Sequence, residues 1–434
     1  MIPRAHIATF GCQMNRQESG IMAALLTRAG YAITDEIEQA SLVILETCAI
    51  RQRAEDKVYS LLGRLKKRRA EEARAGDASA PALKIAVCGC LVTEEGAADL
   101  VNRHGVNVVL GPRRIARIAD AVERANGKPV VDIGGEWLLP PEDISCDDIP
   151  GLSAFVTVMQ GCSNACTFCV VPSRRGAAES KQPEVIIEEV RSLERRGYRE
   201  VTLIGQNISY YGLDNPRIPR LIDLLRRVEA ETSIPRIRFA TSHPAYIDRR
   251  FLAGFAELTR VMPHLHIPIQ SGSDRVLRNM HRGYTAARYL EIVDEVRRLR
   301  PDTAVTTDLI AGFDGETLDD HAMTLALIER SALDGAYVYA YSERPGTPAV
   351  NAGEKLEKVP EPERLRRCNE LLALVELAAG ARRLRDVGKN VEVLVEREGS
   401  GRTRQNILAR FQGGAPGEIR HIRVNSCAPF FLSE

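Results

Sequence analysis

The chain has 434 residues, far more than one ordinary domain needs, so two or three domains with separate cores are expected. Its 59 Lys and Arg against 58 Asp and Glu give no global attraction to nucleic acid or a membrane, so any polyanion site has to be a local patch. No apolar run reaches the roughly 18 residues that span a bilayer, and Met1 to Phe10 lacks an export pattern; ten cysteines in the expected cytoplasmic setting point to metal or redox chemistry over disulfides.

The first third alternates short apolar strands with helical patterns. Ala5 to Phe10 precedes a helical stretch from Glu18 to Ala29 closed by Gly30, and Leu42 to Glu46 precedes a helix from about Ile50. Leu83 to Val87 and Val106 to Leu110 each lead into another, the last from Ile115 to Ala125. This alternation predicts a parallel sheet with helices on its faces, an N-terminal α/β domain over 1–130. Cys12, Cys48 and Cys90 each fall at or just past the carboxyl end of one of these strands. Open α/β sheets bind ligands along that edge, so cysteines distant in sequence can meet there. The Pro-, Gly- and Asp-rich stretch that follows reads as a linker over 131–150.

From Ala154 to about Ser342 six further strand patterns end near Met159, Gly205, Thr241, Gln270, Ile310 and Ser342, with helical segments such as Glu184 to Arg196 and Leu221 to Ala230 between them. Six parallel strands with helical crossovers predict a partial β/α barrel over 151–380, with its active site at the carboxyl ends of the strands. A charged helix, roughly Glu361 to Arg385, leads into short strands at Val391 to Glu396, Asn406 to Phe411 and Glu418 to Val424, punctuated by glycines. That pattern predicts a small antiparallel β-barrel over 386–434.

The chemistry is concentrated in Gly161-Cys162-Ser163-Asn164-Ala165-Cys166-Thr167-Phe168-Cys169, a C-x3-C-x2-C set directly after the first barrel strand. Three thiolates at this spacing hold three irons of a 4Fe-4S cluster and leave the fourth open to a substrate. A structural zinc site is the competing reading, but it requires four ligands, and no fourth stands nearby. Cys12, Cys48 and Cys90 form a second set, for which three core thiols are the competing reading. Cys88 and Cys90 lie two apart on a strand and are expected to face the same way, so spacing leaves either open as the third member.

The triad Cys162, Cys166 and Cys169 matches the radical S-adenosylmethionine (SAM) superfamily in spacing and position. Phe10-Gly11-Cys12-Gln13-Met14-Asn15, Glu46-Thr47-Cys48-Ala49-Ile50-Arg51 and Cys88-Gly89-Cys90 resemble signatures of the methylthiotransferases within it, and the resemblance runs nearly the whole length. It includes Val170 to Gly176, Leu203-Ile204-Gly205-Gln206-Asn207, Thr241-Ser242-His243-Pro244, His266 to Asp274, Arg282-Gly283-Tyr284-Thr285 and Ser342 to Ala349. The resemblance implies two 4Fe-4S clusters, one on Cys162, Cys166 and Cys169 and an auxiliary one on Cys12, Cys48 and Cys90, the latter in preference to Cys88. It further implies SAM contacts from Gly205, Gln206, Asn207, Ser242, His243, Gln270, Ser271, Arg282 and Arg344, and a TRAM-like RNA-gripping module over 386–434.

The implied chemistry uses two SAM molecules, one donating a methyl group to a sulfur on the auxiliary cluster and the other yielding the radical that removes hydrogen from carbon 2 of an adenine. The implied partners are a tRNA anticodon stem-loop and a reductant such as flavodoxin or ferredoxin. Within the family, the FGCQMN block and the GQN and SHP triplets resemble the branch acting on N-isopentenyladenosine beside the anticodon. Ser173 stands where that branch usually has Tyr, and Asp314 replaces the Pro of its GFPGET block. Methylthiolation of a ribosomal-protein aspartate is the second reading, and a non-catalytic RNA-binding iron–sulfur sensor the third.

Other features carry bland readings. The basic run Arg64, Lys66, Lys67, Arg68 and Arg69 is expected to be a solvated helix face. Gly312-Phe313-Asp314-Gly315-Glu316 lacks the Gly-Lys-Ser/Thr of a phosphate loop. Cys146, Cys368 and Cys427 read as ordinary thiols, and the 386–434 segment, with a net charge near +1, depends on the arrangement of cations such as Arg402, Arg404 and Arg410 for any grip on RNA.

Overall fold

The computed structural model describes residues 2–49, 52–75, 82–141, 144, 146–351 and 356–434. The chain divides into two compact units. One comprises Met1–Asp148, Ala154–Ser163 and Val170–Glu179; the other comprises Ile149–Ser153, Asn164–Cys169 and Ser180–Glu434.

The first unit opens with β1 (Arg4–Thr9), α1 (Gln13–Arg28), β2 (Ala32–Ile33) and β3 (Leu42–Thr47). It continues through α2 (Gln52–Ala75), β4 (Lys84–Gly89), α3 (Glu94–Asn102), β5 (Val108–Leu110), α4 (Ile118–Arg124) and β6 (Val130–Asp132). The six strands form one sheet in the order β2-β1-β3-β4-β5-β6, every pairing parallel. All six residues of β3 are buried, as a central strand covered on both faces requires. Leu42 and Ile44 pack with Met22 and Leu26 of α1 and Val122 of α4, whereas Val43 and Leu45 pack with Val58 and Leu62 of α2 and Leu100 of α3. The period of two along the strand thus divides the core into two layers.

Three boundaries differ from the sequence expectation. Helix α1 starts at Gln13 rather than Glu18, because Cys12 is its N-cap and its first turn is polar. The domain does not end at 130: β6 runs to Asp132, and Ile144, inside the expected linker, is part of the core. Ile50 and Arg51, where the sequence pattern begins α2, lie outside the described residues.

The chain continues through β7 (Cys146–Ile149), β8 (Ser153–Thr157), β9 (Met159–Gln160), α5 (Val171–Arg175) and β10 (Glu179–Ser180). Then follow α6 (Pro183–Arg195), β11 (Glu200–Ile204), α7 (Leu221–Glu231), β12 (Arg236–Phe239), α8 (Arg249–Glu257) and β13 (His264–His266). The barrel closes its run with α9 (Asp274–Asn279), α10 (Ala286–Leu299), β14 (Ala304–Ala311), α11 (Leu318–Ser331) and β15 (Gly335–Ala340). Strands therefore stand at all six expected positions: β8 with β9, β11, β12, β13, β14 and β15. In the second unit β11 pairs with β12, and β13 with β14 and β14 with β15, all parallel. A bridge from Ile237 to Val261 continues the curve between the two groups. Helix α6 buries Ile186, Ile187, Val190 and Leu193 on one stripe, which is why its apolar residues recur three and four apart.

After α12 (Pro348–Asn351) and α13 (Glu361–Leu384) come β16 (Asn390–Arg397), β17 (Ser400–Thr403), β18 (Leu408–Arg410), β19 (Ile419–Arg423), β20 (Ser426–Ala428) and β21 (Phe431–Ser433). They make a curled six-stranded sheet ordered β19-β16-β17-β18-β21-β20 over a small core of Val393, Val395, Ala409, Phe411 and Ile422. The expected antiparallel arrangement holds except that β18 and β21 pair in parallel. This module and the barrel belong to one compact unit, joined by a buried charge cluster. Arg236 donates to the carbonyls of Arg402 (3.0 Å) and Thr403 (2.6 Å), and Arg238 to those of Arg404 (3.0 Å) and Thr403 (2.9 Å). Both guanidinium Nε atoms reach Glu200 Oε2, at 3.0 and 2.8 Å.

Candidate iron–sulfur and SAM sites

In the first unit Cys12, Cys48 and Cys90 follow β1, β3 and β4, three adjacent strands, at their carboxyl ends. Buried Asn15 ties the first two turns together. Its Oδ1 accepts from the Cys12 N–H at 3.0 Å and from the Cys12 thiol at 3.3 Å, while its Nδ2 donates to Glu46 Oε1 (2.8 Å) and the Thr47 carbonyl (2.9 Å). Thr47 links onward: its carbonyl accepts from the Cys90 N–H at 3.0 Å and its hydroxyl donates to the Cys88 carbonyl at 2.6 Å. At Gly11, with φ +151°, a Cβ would come within 2.8 Å of Cys48 Cβ, so the Cys12 turn can approach Cys48 only without a side chain there.

Cys88 and Cys90 do not face the same way. Gly89 has φ +95°, and a Cβ there would lie 2.3 Å from Glu46 Oε1. This left-handed residue ends β4 and breaks the alternation that strand geometry assigns to residues two apart. Cys88 consequently packs in the apolar core with Ile44 and Met22, whereas Cys90 lies beside Ala49 and Val170 at the strand edge. Burial raises the thiol pKa of both, that of Cys90 to about 12, with Arg175 lowering it and Glu18, Cys48 and Cys12 adding to the rise.

Arg175, which the sequence placed only within a family block, is 2% exposed at the end of α5. Its Nη1 and Nη2 make a fork on Glu18 at 2.6 and 2.9 Å, and its Nε donates to Cys90 Sγ at 3.0 Å. Glu46 is fully buried beside this pair; burial and the Glu18 charge push its carboxyl well above the usual range. Arg113 holds the segment after α5 by donating to the carbonyls of Arg175 (2.9 Å) and Ala177 (2.7 Å). Charged residues inside an α/β core are the signal that sequence reading passed over at Glu18, Glu46 and Arg175.

Cys162 follows β9 in the first unit. Its N–H donates to the Gly176 carbonyl at 3.1 Å, and at Gly161, φ +76°, a Cβ would meet the Ala177 carbonyl at 2.1 Å, so this turn needs glycine. In the second unit Cys166 and Cys169 lie on a loop fastened to the end of α9: the Thr167 N–H donates to the Met280 carbonyl (3.2 Å) and the Thr167 hydroxyl to that of Asn279 (2.9 Å). The Tyr246 hydroxyl donates to Asn164 Oδ1 at 2.6 Å. Arg282, also buried, donates Nη1 to Cys166 Sγ at 3.1 Å, Nε to the Tyr284 hydroxyl at 2.7 Å and Nη2 to the Pro268 carbonyl at 3.2 Å.

Apart from Arg282, which follows α9, the expected SAM contacts stand after barrel strands. Gly205, Gln206 and Asn207 follow β11, Ser242 and His243 follow β12, Gln270 and Ser271 follow β13, and Arg344 follows β15. Among the described residues, buried Ser242 Oγ and Asn207 Nδ2 have no hydrogen-bond partner within the chain. Unsatisfied buried polar atoms cost about 1–3 kcal/mol each, which a polar ligand would recover. Thr241 and Gln270 carry φ of 73° and 75°, a left-handed conformation unfavourable for side chains other than glycine. His243 Nδ1 accepts from the Ala245 N–H at 3.2 Å, and burial together with Arg282 lowers its pKa to about 3. His266 Nδ1 lies 3.0 Å from the Thr306 hydroxyl and Nε2 3.5 Å from Asp308.

Among the described residues no three His, Cys, Asp or Glu side chains converge to hold one ion. A 4Fe-4S cluster does not ask for that, since each thiolate takes a different iron. In the first unit Cys12, Cys48 and Cys90 at neighbouring strand ends, with buried Arg175 donating to the Cys90 sulfur, fit an anionic cluster; in the second, buried Arg282 donates to the Cys166 sulfur, and the unsatisfied atoms at the strand ends fit a polar cofactor.

Several expected charges are otherwise engaged. Arg68 donates to the Ile37 and Ala40 carbonyls (2.7 and 2.9 Å) and Arg69 to that of Gly105 (2.6 Å), so that part of the basic run fastens α2 to the segments leading into β3 and β5 instead of facing solvent. Arg402 Nε lies 3.1 Å from Glu396, and Arg404 donates to the Thr259 carbonyl at 2.5 Å. Arg410 is exposed and stacks over Phe431, 4.4 Å from the ring centroid. Asp314 pairs with Arg364 at 3.2 Å, and Ser173 is exposed.

A C-x3-C-x2-C loop after the first strand of a partial β/α barrel defines a radical SAM enzyme. The family model of the radical SAM superfamily matches residues 156–328, and that of the uncharacterized protein family UPF0004 matches residues 4–111. The radical SAM methyltransferase TsrM from Kitasatospora setae, with tryptophan and a SAM analogue bound, shares the fold at a TM-score of 0.55 and 14% identity, over 80% of this chain and 75% of that one. The cobalamin-dependent SAM radical enzyme OxsB does so at 0.53 and 12%, over 85% and 56%. The tRNA-2-methylthio-N(6)-dimethylallyladenosine synthase of Desulforamulus reducens is 38% identical over 439 residues, covering 98% of this chain and 94% of the relative. That of Moorella thermoacetica is 40% identical over 429 residues, covering 96% and 94%. The chain belongs to this family, the radical SAM methylthiotransferases, whose cofactors are 4Fe-4S clusters and SAM.

Proposed function

We propose that the chain methylthiolates carbon 2 of N6-isopentenyl (dimethylallyl) adenosine beside a tRNA anticodon. The observation that carries this reading is the pair of cysteine sets, one at the carboxyl ends of β1, β3 and β4 and one on the loop after β9, in a chain alike over nearly its whole length to synthases of that name. Cys162, Cys166 and Cys169 hold the SAM-binding cluster, and Cys12, Cys48 and Cys90 the auxiliary one. When bound, these groups and SAM supply the electron, the radical and the methylthio sulfur that an unactivated C–H bond requires.

The chain's own residues set the conditions. Arg282 directs a cationic donor at the Cys166 sulfur. Asn207 and Ser242 offer unpaired polar groups to the SAM nucleoside or methionine part. His243 is neutral at physiological pH, so it takes part in a hydrogen bond without adding charge beside Arg282. The adenine must be extruded from its stack to reach such a site. Exposed cations of the C-terminal sheet, Lys389, Arg397, Arg410 and Arg423, are the groups placed to meet phosphate. A flavodoxin or ferredoxin type reductant supplies the electron, and the setting is cytoplasmic; no described helix is long and apolar enough to cross a membrane.

Nucleoside mass spectrometry of tRNA from a deletion strain, and of that tRNA after incubation with enzyme, SAM and a reductant, tests the reading. The 2-methylthio nucleoside should be missing in the strain and restored by the protein, with isopentenyladenosine consumed. Restoration of a modified ribosomal-protein aspartate instead would transfer the function to the protein-directed branch.

A further inference from the structure

Arg175 makes an arrangement that the family reading leaves without a task. Fully burying a guanidinium and a carboxylate is costly, and a hydrophobic pair of similar volume often serves stability as well. The pair with Glu18 uses one N–H each of Nη1 and Nη2, and Nε donates to Cys90 Sγ, 3.0 Å away. Ala49 and Val170 pack against Cys90, so the bond from Nε to its sulfur lies in buried surroundings and is weakly screened. The groups facing the guanidinium are Glu18, Glu46, Cys90 and Cys12. Arg113 fixes the backbone of Arg175 from the other side, which holds the fork in one orientation. Such N–H to sulfur bonds, charge and burial are the means by which proteins set the potential of an iron–sulfur cluster.

We infer that Arg175 is a positioning residue for the auxiliary centre: its Nε–H, oriented by the Glu18 fork, fixes the Cys90 thiolate and raises the reduction potential of the cluster held there. The inference rests on the assignment of Cys12, Cys48 and Cys90 as ligands. Positive charge and a hydrogen bond at the sulfur favour the reduced, more negative cluster, so removing them lowers the potential. Removing the Glu18 carboxylate that neutralises the guanidinium acts in the opposite sense.

The test uses the full chain with Cys162, Cys166 and Cys169 changed to Ala, which leaves the auxiliary site alone. About four irons per chain after anaerobic reconstitution support the ligand assignment, and none overturns it before the inference is reached. On that background, potentiometric titration followed by electron paramagnetic resonance should show a lower potential for Arg175→Gln. Arg175→Lys, which keeps charge but not the fork, should fall between, and Glu18→Gln, which keeps an acceptor but removes the charge, should move it upward. Resonance Raman should show the terminal Fe–S stretches shifting upward in Arg175→Gln, as loss of the hydrogen bond strengthens the Fe–S bond. Unchanged potentials, or shifts of one sign for the arginine and carboxylate variants, overturn the inference. If Arg175→Gln fails to hold iron, the Lys and carboxylate variants still decide the sign.

Discussion

Arg282 and Cys166 are joined by a 3.1 Å hydrogen bond from Nη1 to Sγ, with the Arg282 Nη2 bound to the Pro268 carbonyl near the end of β13. The guanidinium is therefore braced by the barrel and cannot follow the thiol loop if that loop shifts. Partners of this kind commonly change metal affinity or activity 10–100-fold when removed. Replacing Arg282 with Gln should cut the rate of 5′-deoxyadenosine formation about tenfold or more. The cysteine ligands remain, so iron near eight per chain should persist. The checks are product chromatography after adding SAM and dithionite, and an iron assay on the same sample. A variant that cleaves SAM at the normal rate would deprive Arg282 of its assigned part.

The different environments of Cys88 and Cys90 predict different losses. Cys90→Ala should reduce iron from about eight to about four per chain and abolish methylthiolation, while SAM cleavage continues. Cys88→Ala only removes a buried sulfur from the core and should cost about 1 kcal/mol of stability with full iron content. Iron analysis with thermal unfolding of the two variants separates them. Equal iron loss would mean that the left-handed turn at Gly89 does not divide their roles.

The contrast between those two cysteines also shows what the sequence carries. Periodicity places β1, β3, β4 and β5, and puts cysteines at the ends of the first three, because apolar runs and strand-end position are local signals. It cannot set Cys88 and Cys90 on different sides, since that depends on a single φ at Gly89, where β3 approaches too closely for a Cβ. The Arg175 fork on Glu18 joins positions 157 residues apart, and nothing in either local segment announces it. The short strands β17, β20 and β21 escape the sequence pattern for a related reason: Ser400-Gly401-Arg402-Thr403, for one, has no apolar alternation and is held by partners on both sides.

Protonation at His243 gives a pH dependence with a defined sign. Its folded pKa is lowered, by burial first and Arg282 second, to about 3, so the native state leaves it neutral while the unfolded chain binds a proton below about 6.5. Stability is thus full above the unfolded value and falls as pH drops from about 6.5 toward 3. At pH 5 the cost from this group is on the order of 2 kcal/mol. Changing His243 to Gln should remove that component, so the difference in melting temperature between variant and parent should shift in favour of the variant between pH 7.5 and pH 5. A constant difference across that range would mean that the imidazole titrates normally.

Two sets of cations, one in the barrel beneath the C-terminal sheet and one exposed on that sheet, have different work and should respond differently to mutation. Arg236 and Arg238 are buried in the barrel beside Glu200 and donate to the carbonyls of Arg402, Thr403 and Arg404, so deleting 386–434 would strand a charge cluster in the unit that carries Cys166 and Cys169. Breaking a buried charged network typically costs 3–5 kcal/mol, so the truncated chain should lose thermal stability along with RNA binding. Truncation therefore cannot isolate the exposed cations. Point changes at exposed Arg397, Arg410 and Arg423 can, because none supports the clamp. If these residues meet tRNA phosphates, the triple change to Ala should leave the melting temperature within about 2 °C of the parent, as surface substitutions generally do. It should weaken tRNA binding, and the slope of log affinity against log salt should flatten by about 0.7–0.9 for each arginine–phosphate pair removed, since each such pair releases condensed counterions. Fluorescence anisotropy with an isopentenylated anticodon stem-loop across 50–300 mM salt reads that slope directly. A slope equal to the parent's would place the phosphate-binding cations elsewhere on the chain.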